Sequence, residues 1–437
     1  MMKTHMGLVL AWCTASVAGA AVPSAAPSGS ALADAASVEP LRVEPAAPLP
    51  SVDLGGEPSG VRRDRAINML RSSNTAAQAE ALSLLQSVVD AVPDDGLARF
   101  NLATAAWVSG DLARASREFE ACTKRHPSLW QGWQSWANVA ELRGNLREAE
   151  DALRAGIAAN PTVVDLRVAQ AGLLRRTGKP EQAVEAARAG LEQDKRSLAL
   201  YDEMGLAWMA LSRYDAARFI YELASTKPGY ADALGVQTHA AWLLYLAGDR
   251  YLARARLEEL VKRDDTLLEA RVYLARILWL DENWTLMLPL LERAAVLAPA
   301  NAGIQSDLGL TYRGLGQAEP ARAAFLKALA LDPRDPTPHF NLAMLLGDDL
   351  KQYDDALKSL RAYLDAGGTE KAKADAMVAA FEKEKARAEA RKKAEEDRAR
   401  RERERAARDA ASAPATDGGA APSTSPGSTP PADTPVP

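Results

Sequence analysis

The strongest constraint on this chain is a recurrence every 34 residues: Pro127 and Pro161 keep that interval, and so do Pro299 and Pro333 after less regular units. Gly110, Gly144 and Gly178 share it, each followed five residues later by an alanine, Ala115, Ala149 and Ala183. One nearly complete copy runs through Leu308-Gly309, Tyr312, Gly316, Ala321, Phe325, Ala328 and Pro333. In a common register the copies begin near 96, 130, 164, 198, 234, 268, 302 and 336, with a degenerate leading copy near 62–95. The fourth copy is two residues longer, and Gln352-Tyr353-Asp354-Asp355-Ala356 implies one extra residue in the last.

Within each copy, apolar residues three or four apart mark a helix, a turn with Asn, Asp or Gly follows, and a second helix begins. Gly144-Asn145 and Gly248-Asp249 are such turns. Ala149, Ala183, Ala217, Ala253 and Ala321 share one position, where a small side chain lets helices approach more closely than Leu would allow. Phe119, Tyr221 and Phe325 fill the next layer. One helix pair cannot bury both its apolar faces, so each pair stacks on its neighbours. The sixth copy departs from the pattern: its turn is Asp281-Glu282-Asn283, Met287 replaces the small residue, and Pro289 follows inside the second helix. Simple drift accounts for these changes, and a kink near Pro289 is the other reading. The third copy has Lys195 where proline is usual.

This pattern resembles the tetratricopeptide repeat: a bulky residue, Leu-Gly or Leu-Ala, Tyr, a turn Gly, Ala, Phe or Tyr, Ala and Pro. The resemblance spans 62–371, about eight repeats and the leading unit. It implies an all-α fold, a right-handed α-solenoid whose concave surface is lined by the first helix of each pair. Members that bind chaperone C-termini use a Lys/Asn/Arg carboxylate clamp; Asn138 and Asn341 match only isolated elements of it, so that specificity does not carry over.

The flanks differ in composition. Residues 1–20 read as a signal peptide: Lys3 supplies the positive start, Gly7 to Val17 is mostly apolar, and Ala18-Gly19-Ala20 has the small-x-small form of a cleavage site. Trp12 before Cys13 disfavours an outer-membrane lipoprotein, because a small residue is wanted there. Cleavage after Ala20 leaves Cys122 alone, a packing residue rather than a reactive thiol. Residues 21–61 form a Pro/Ala-rich linker and 412–437 a disordered tail, each holding seven of the 25 prolines. Between them, 372–411 read as a charged helix. Glu370 to Asp409 carries 14 basic and 11 acidic residues, with Glu382–Lys385 and Glu384–Arg387 at helical spacing. Ala374, Met377, Val378 and Phe381 form a short apolar stripe expected to cap the last repeat, and no heptad follows it.

The sequence offers no catalytic chemistry: no paired-Cys motif, no His-Glu-x-x-His helix and no phosphate-binding Gly-rich loop. No cofactor or metal is expected. A net charge of -5 argues against a general nucleic-acid binder. What remains is recognition. The repeat register places Trp107, Asn138, Arg176, His239, Trp242, Tyr245, Tyr273, Arg276, Trp279, Arg313, Phe340 and Asn341 on or near the exposed side of the inner helices. Aromatics there bury rigid surface, while Arg and Asn meet a peptide's carbonyls or acidic groups. Trp242 to Trp279 is the preferred hotspot, with packing between helices the competing role for these rings.

The reading is a noncatalytic periplasmic scaffold or adaptor. Its partners are expected to be envelope proteins or their peptide segments, with any membrane association peripheral and through those partners. An exported repeat array followed by an Ala/Lys/Glu/Arg helix also resembles the tetratricopeptide proteins of adventurous gliding motility systems. An assembly factor for a pilus, secretin or other outer-membrane machine, or an accessory recruiting a cell-wall or polysaccharide biosynthesis enzyme, are the alternatives. Oligomeric state has no signature in the sequence.

Overall fold

The structure, a computed structural model, describes Ala66, Met69 and residues 75–412. The expected leader (1–20), the linker (21–61) and the tail from 413 onward lie outside the described residues. Every regular element described is helical. Helix α1 (Thr75–Ala91) is the second helix of the leading unit. Units 1 to 4 are the pairs α2 (Gly96–Val108) and α3 (Leu112–Arg125), α4 (Trp130–Leu142) and α5 (Leu146–Ala159), α6 (Val164–Arg176) and α7 (Pro180–Gln193), α8 (Leu198–Ala210) and α9 (Tyr214–Ser225). Units 5 to 8 are α10 (Leu234–Leu246) and α11 (Arg250–Arg263), α12 (Leu268–Leu280) and α13 (Trp284–Leu297), α14 (Ala302–Gly314) and α15 (Ala318–Leu331), α16 (Pro336–Met344) and α17 (Tyr353–Asp365).

The turn inside each pair has one geometry because the same backbone bonds recur. The N–H of Asp111 donates to the carbonyl of Ala106, and Asn145 to Ala140, Asp249 to Leu244 and Asn283 to Leu278 repeat the bond. This closes each first helix with a Schellman-type cap, which needs a residue at positive φ. Gly110 (84°), Gly144 (78°), Gly178 (75°), Gly248 (96°) and Gly316 (74°) supply it. The next residue starts the second helix, with the Asp111, Asp249 and Asn283 side chains accepting from backbone N–H groups of its first turn.

The alanine row is buried, with Ala115, Ala149, Ala183, Ala217, Ala253 and Ala321 each fully inaccessible. In units 4 and 7 the first helix carries glycine opposite the ring: a Cβ on Gly205 would sit 2.6 Å from the Tyr221 ring, and Gly309 faces Phe325 in the same way. Each second helix packs against the first helix of its own unit and of the next. First helices also meet one another directly, α4 with α6, α6 with α8, α8 with α10, α10 with α12 and α14 with α16. The first helices therefore form one layer and the second helices the other, as the repeat resemblance implies.

The irregular units resolve locally. The two extra residues of unit 4 fall between α9 and α10, where Gly229 at φ 83° leads into a 3-10 turn, Tyr230–Asp232. The extra residue of unit 8 is taken up as a π-helical turn, Leu345–Asp349, at the end of α16. Helix α13 runs unbroken through Pro289, and Met287 is buried in the alanine position.

A second compact unit begins at Ala372, and its described part is the helix α18 (Lys371–Ser412). Ala374 and Phe381 are buried. Beyond them α18 is polar on all sides and held by ion pairs at helical spacing, among them Glu384–Arg387, Lys385–Glu389 and Arg398–Glu402.

Candidate binding face

The layer of first helices is cross-linked by charge. Arg176 on α6 donates through Nε and Nη2 to both carboxylate oxygens of Glu141 on α4, each at 2.9 Å. Its neighbour Arg175, nearly inaccessible, reaches Glu203 on α8 at 3.0 Å. Asp202 on α8 accepts from Nδ1 of His239 on α10 at 2.9 Å, and Glu269 on α12 meets Nε2 of the same ring at 2.9 Å. Arg313 on α14 pairs with Asp348 and Asp349 in the π-helical turn. Carboxylates on both sides require a proton on each ring nitrogen, so His239 stands as imidazolium. Burial opposes that charge, but Asp202 and Glu269 outweigh it and hold the pKa at about 10. Tyr221 donates to Asp202 at 3.1 Å and completes the cluster.

Next to this cluster the aromatics stack on one another. Trp242 lies between Tyr245 (4.4 Å, 20°) and Tyr273 (4.5 Å, 12°), and the Arg276 guanidinium sits 4.7 Å from the Trp279 ring. Trp242 is fully buried, and His239, Tyr273, Arg276, Trp279 and Asn341 are buried as well. The expected hotspot from Trp242 to Trp279 is thus core rather than exposed surface. The physical reason is size: Trp242 reaches Tyr273 of the next unit, and both rings join Trp279 in one buried cluster. Burial pushes the Tyr273 phenol well above the usual range. Arg176 and Arg313 were expected to offer free charge to a ligand; both are ion-paired within the fold. Trp107, Asn138, Tyr245 and Phe340 are half-buried and keep accessible surface.

Sequence reasoning missed the carboxylates that answer these bases, Glu141, Asp202, Glu203, Glu269 and Asp349. The signal was present, since each stands 28 to 37 residues, about one repeat, from its base. It also missed Gln131 and Gln134, which share the face of α4 with Asn138.

Reactive groups are scarce. Among the described residues no group of His, Cys, Asp or Glu is placed to hold a metal ion. Cys122 is buried, and burial pushes its thiol up to about 12, so it packs as a small apolar residue. No described helix is long and apolar enough to cross a membrane.

Helix pairs stacked in this way define a helical-repeat protein of the kind that typically acts as a protein-binding scaffold. Sequence profiles of the tetratricopeptide repeat match residues 79–129, 100–164 and 135–197, then 302–335 and 324–358. Over those residues the chain carries tetratricopeptide repeats. Those matches stop at 197 and resume at 302, yet α8 to α13 keep the same pairing between them. No curated protein matches the sequence. Among solved structures, a chain of the APC/C hetero-tetramer Cut9–Hcn1 is similar at 14% identity and TM-score 0.49, over 72% of this chain and 62% of that one. A tetratricopeptide repeat protein from Parabacteroides merdae ATCC 43184 is similar at 13% identity and TM-score 0.40, over 58% of this chain and 98% of that one. Pseudomonas aeruginosa pilF is similar at 18% identity and TM-score 0.38, over 47% and 92%.

Proposed function

We propose that this chain is a noncatalytic periplasmic scaffold that holds proteins of a bacterial envelope complex. The observation that carries the reading is the layer of first helices, on which Trp107, Asn138, Tyr245 and Phe340 keep accessible surface. Placement in the periplasm rests on the amino-terminal residues, from Lys3 through Ala18-Gly19-Ala20. A trans-envelope gliding-motility machine is the assembly favoured, because a repeat array followed by a long charged helix resembles the plan of such proteins.

Crosslinking in intact cells, followed by partner identification and amino-terminal sequencing, tests this reading. The expected result is a mature chain beginning at Ala21, crosslinked to envelope proteins of one stable complex. Pilus subunits captured only during assembly would replace the motility assignment with an assembly factor. Exclusively cytoplasmic partners and an intact Met1 would overturn the scaffold's proposed location.

A further inference from the structure

In sequence order the charges of α18 alternate, but on the helix they sort by face. Lys383, Arg387 and Arg391 follow one another at steps of four residues, and Arg398, Arg401, Arg405 and Arg408 at steps of three or four. At 3.6 residues per turn all seven fall within an arc of about 100° that runs about 38 Å along the helix. Each is exposed, and the only other residues in that arc between them are Ala390 and Ala394. Acidic residues border it, Glu384, Glu395 and Glu402 on one side and Asp397 and Glu404 on the other. Arg387, Arg398 and Arg405 pair with carboxylates of the same helix, while Lys383, Arg391, Arg401 and Arg408 make no ion pair within the protein. Around Ala394 the stripe dips into a shallow depression walled by Arg398, Arg401 and Arg405, with Asp397 and Glu402 at its rims. Ala374 and Phe381, the buried residues of the first turns, fall on the opposite side of the helix.

A row of cations this long selects an anionic partner, and its width and chemistry decide which. The stripe holds no apolar side chain larger than alanine. It therefore has nothing to insert between acyl chains, and it lacks the apolar seam on which a partner helix would pack. A duplex groove closes round a helix and brings phosphates to both flanks, where the bordering carboxylates would repel them. A lipid surface is flat and meets one face alone. Its headgroups also move sideways, so phosphates can gather beneath each guanidinium and at the depression by Ala394. The acidic residues then support the helix through its ion pairs while standing clear of the surface.

We propose that α18 lies along an anionic phospholipid surface, with the stripe from Lys383 to Arg408 against the headgroup phosphates and no side chain entering the bilayer core. This adds a direct membrane contact to the scaffold reading and does not depend on it. The full chain is sedimented with vesicles of phosphatidylcholine alone and with vesicles in which one lipid in three is phosphatidylglycerol; duplex DNA and polyglutamate are titrated alongside. Binding is expected to rise with phosphatidylglycerol and to fall steeply as salt is added, because the contact is electrostatic and exposed. Arg391→Gln with Arg401→Gln should weaken it about thirtyfold. Lys392→Gln with Arg403→Gln removes the same charge from the other side of the helix and should weaken it less than about threefold. Neither change removes an ion pair within the protein, so circular dichroism should show α18 intact in both. No gain in binding from phosphatidylglycerol, equal loss from both double variants, or tighter binding of DNA or polyglutamate than of the vesicles would overturn the proposal.

Discussion

Ser212 and Glu282 stand where five other units carry a turn glycine, at φ 56° and 53°, and Lys351 stands one residue later in the enlarged last unit at φ 59°. A side chain in that region places Cβ against the neighbouring carbonyl, at a cost of about 1–2 kcal/mol. Ser212→Gly and Glu282→Gly are therefore expected to stabilise their units by about 1 kcal/mol each, and Gly248→Ala to destabilise unit 5 by a similar amount. Urea denaturation followed by circular dichroism checks this, and a lower midpoint for both glycine variants would contradict the strain. The turn glycines were legible as a period, and so were the alanines. The pairing of Gly205 with Tyr221 and Gly309 with Phe325 was not, because it depends on which helix faces reach van der Waals contact.

Pairing between helices decides what the inner face offers. The imidazolium of His239 ties α8 to α12 through Asp202 and Glu269, across one intervening helix. Its folded pKa, about 10, lies above the ordinary 6.5, so protonation favours the folded state. That contribution is complete below about pH 6.5, shrinks as pH rises, and is gone above about pH 10. His239→Gln should cost about 3–5 kcal/mol at pH 6, because it leaves two carboxylates without their cation. The gap in melting temperature between wild type and variant should narrow steadily toward pH 10. A gap that is flat with pH would show that the ring contributes packing alone. The sequence placed His239, Arg176 and Arg313 on the correct helices and the correct layer. Whether such a side chain points outward or folds onto the next helix depends on its neighbour, one repeat away, and single-helix periodicity does not carry that information. Pro289 teaches the same lesson in reverse: α13 persists through it because tertiary packing overrides local preference.

Along the whole array the period proved more durable than its consensus residues. Units 4 to 6 lack a profile match and still build the same two layers, since burial of both helix faces requires only apolar spacing. The large aromatics that made this stretch look like a binding site are what fills it. The small and amide residues of units 1 to 3 drew less notice and leave their part of the face open. Fold was therefore far more legible than site. The central claim is that partners are held on the first-helix layer. A photo-crosslinking amino acid placed in turn at Gln134, Asn138 and Phe219, in living cells, tests it most directly. Partner adducts are expected from Gln134 and Asn138 and none from Phe219, which is 63% exposed on the opposite layer; adducts from Phe219 with none from the α4 positions would contradict that placement.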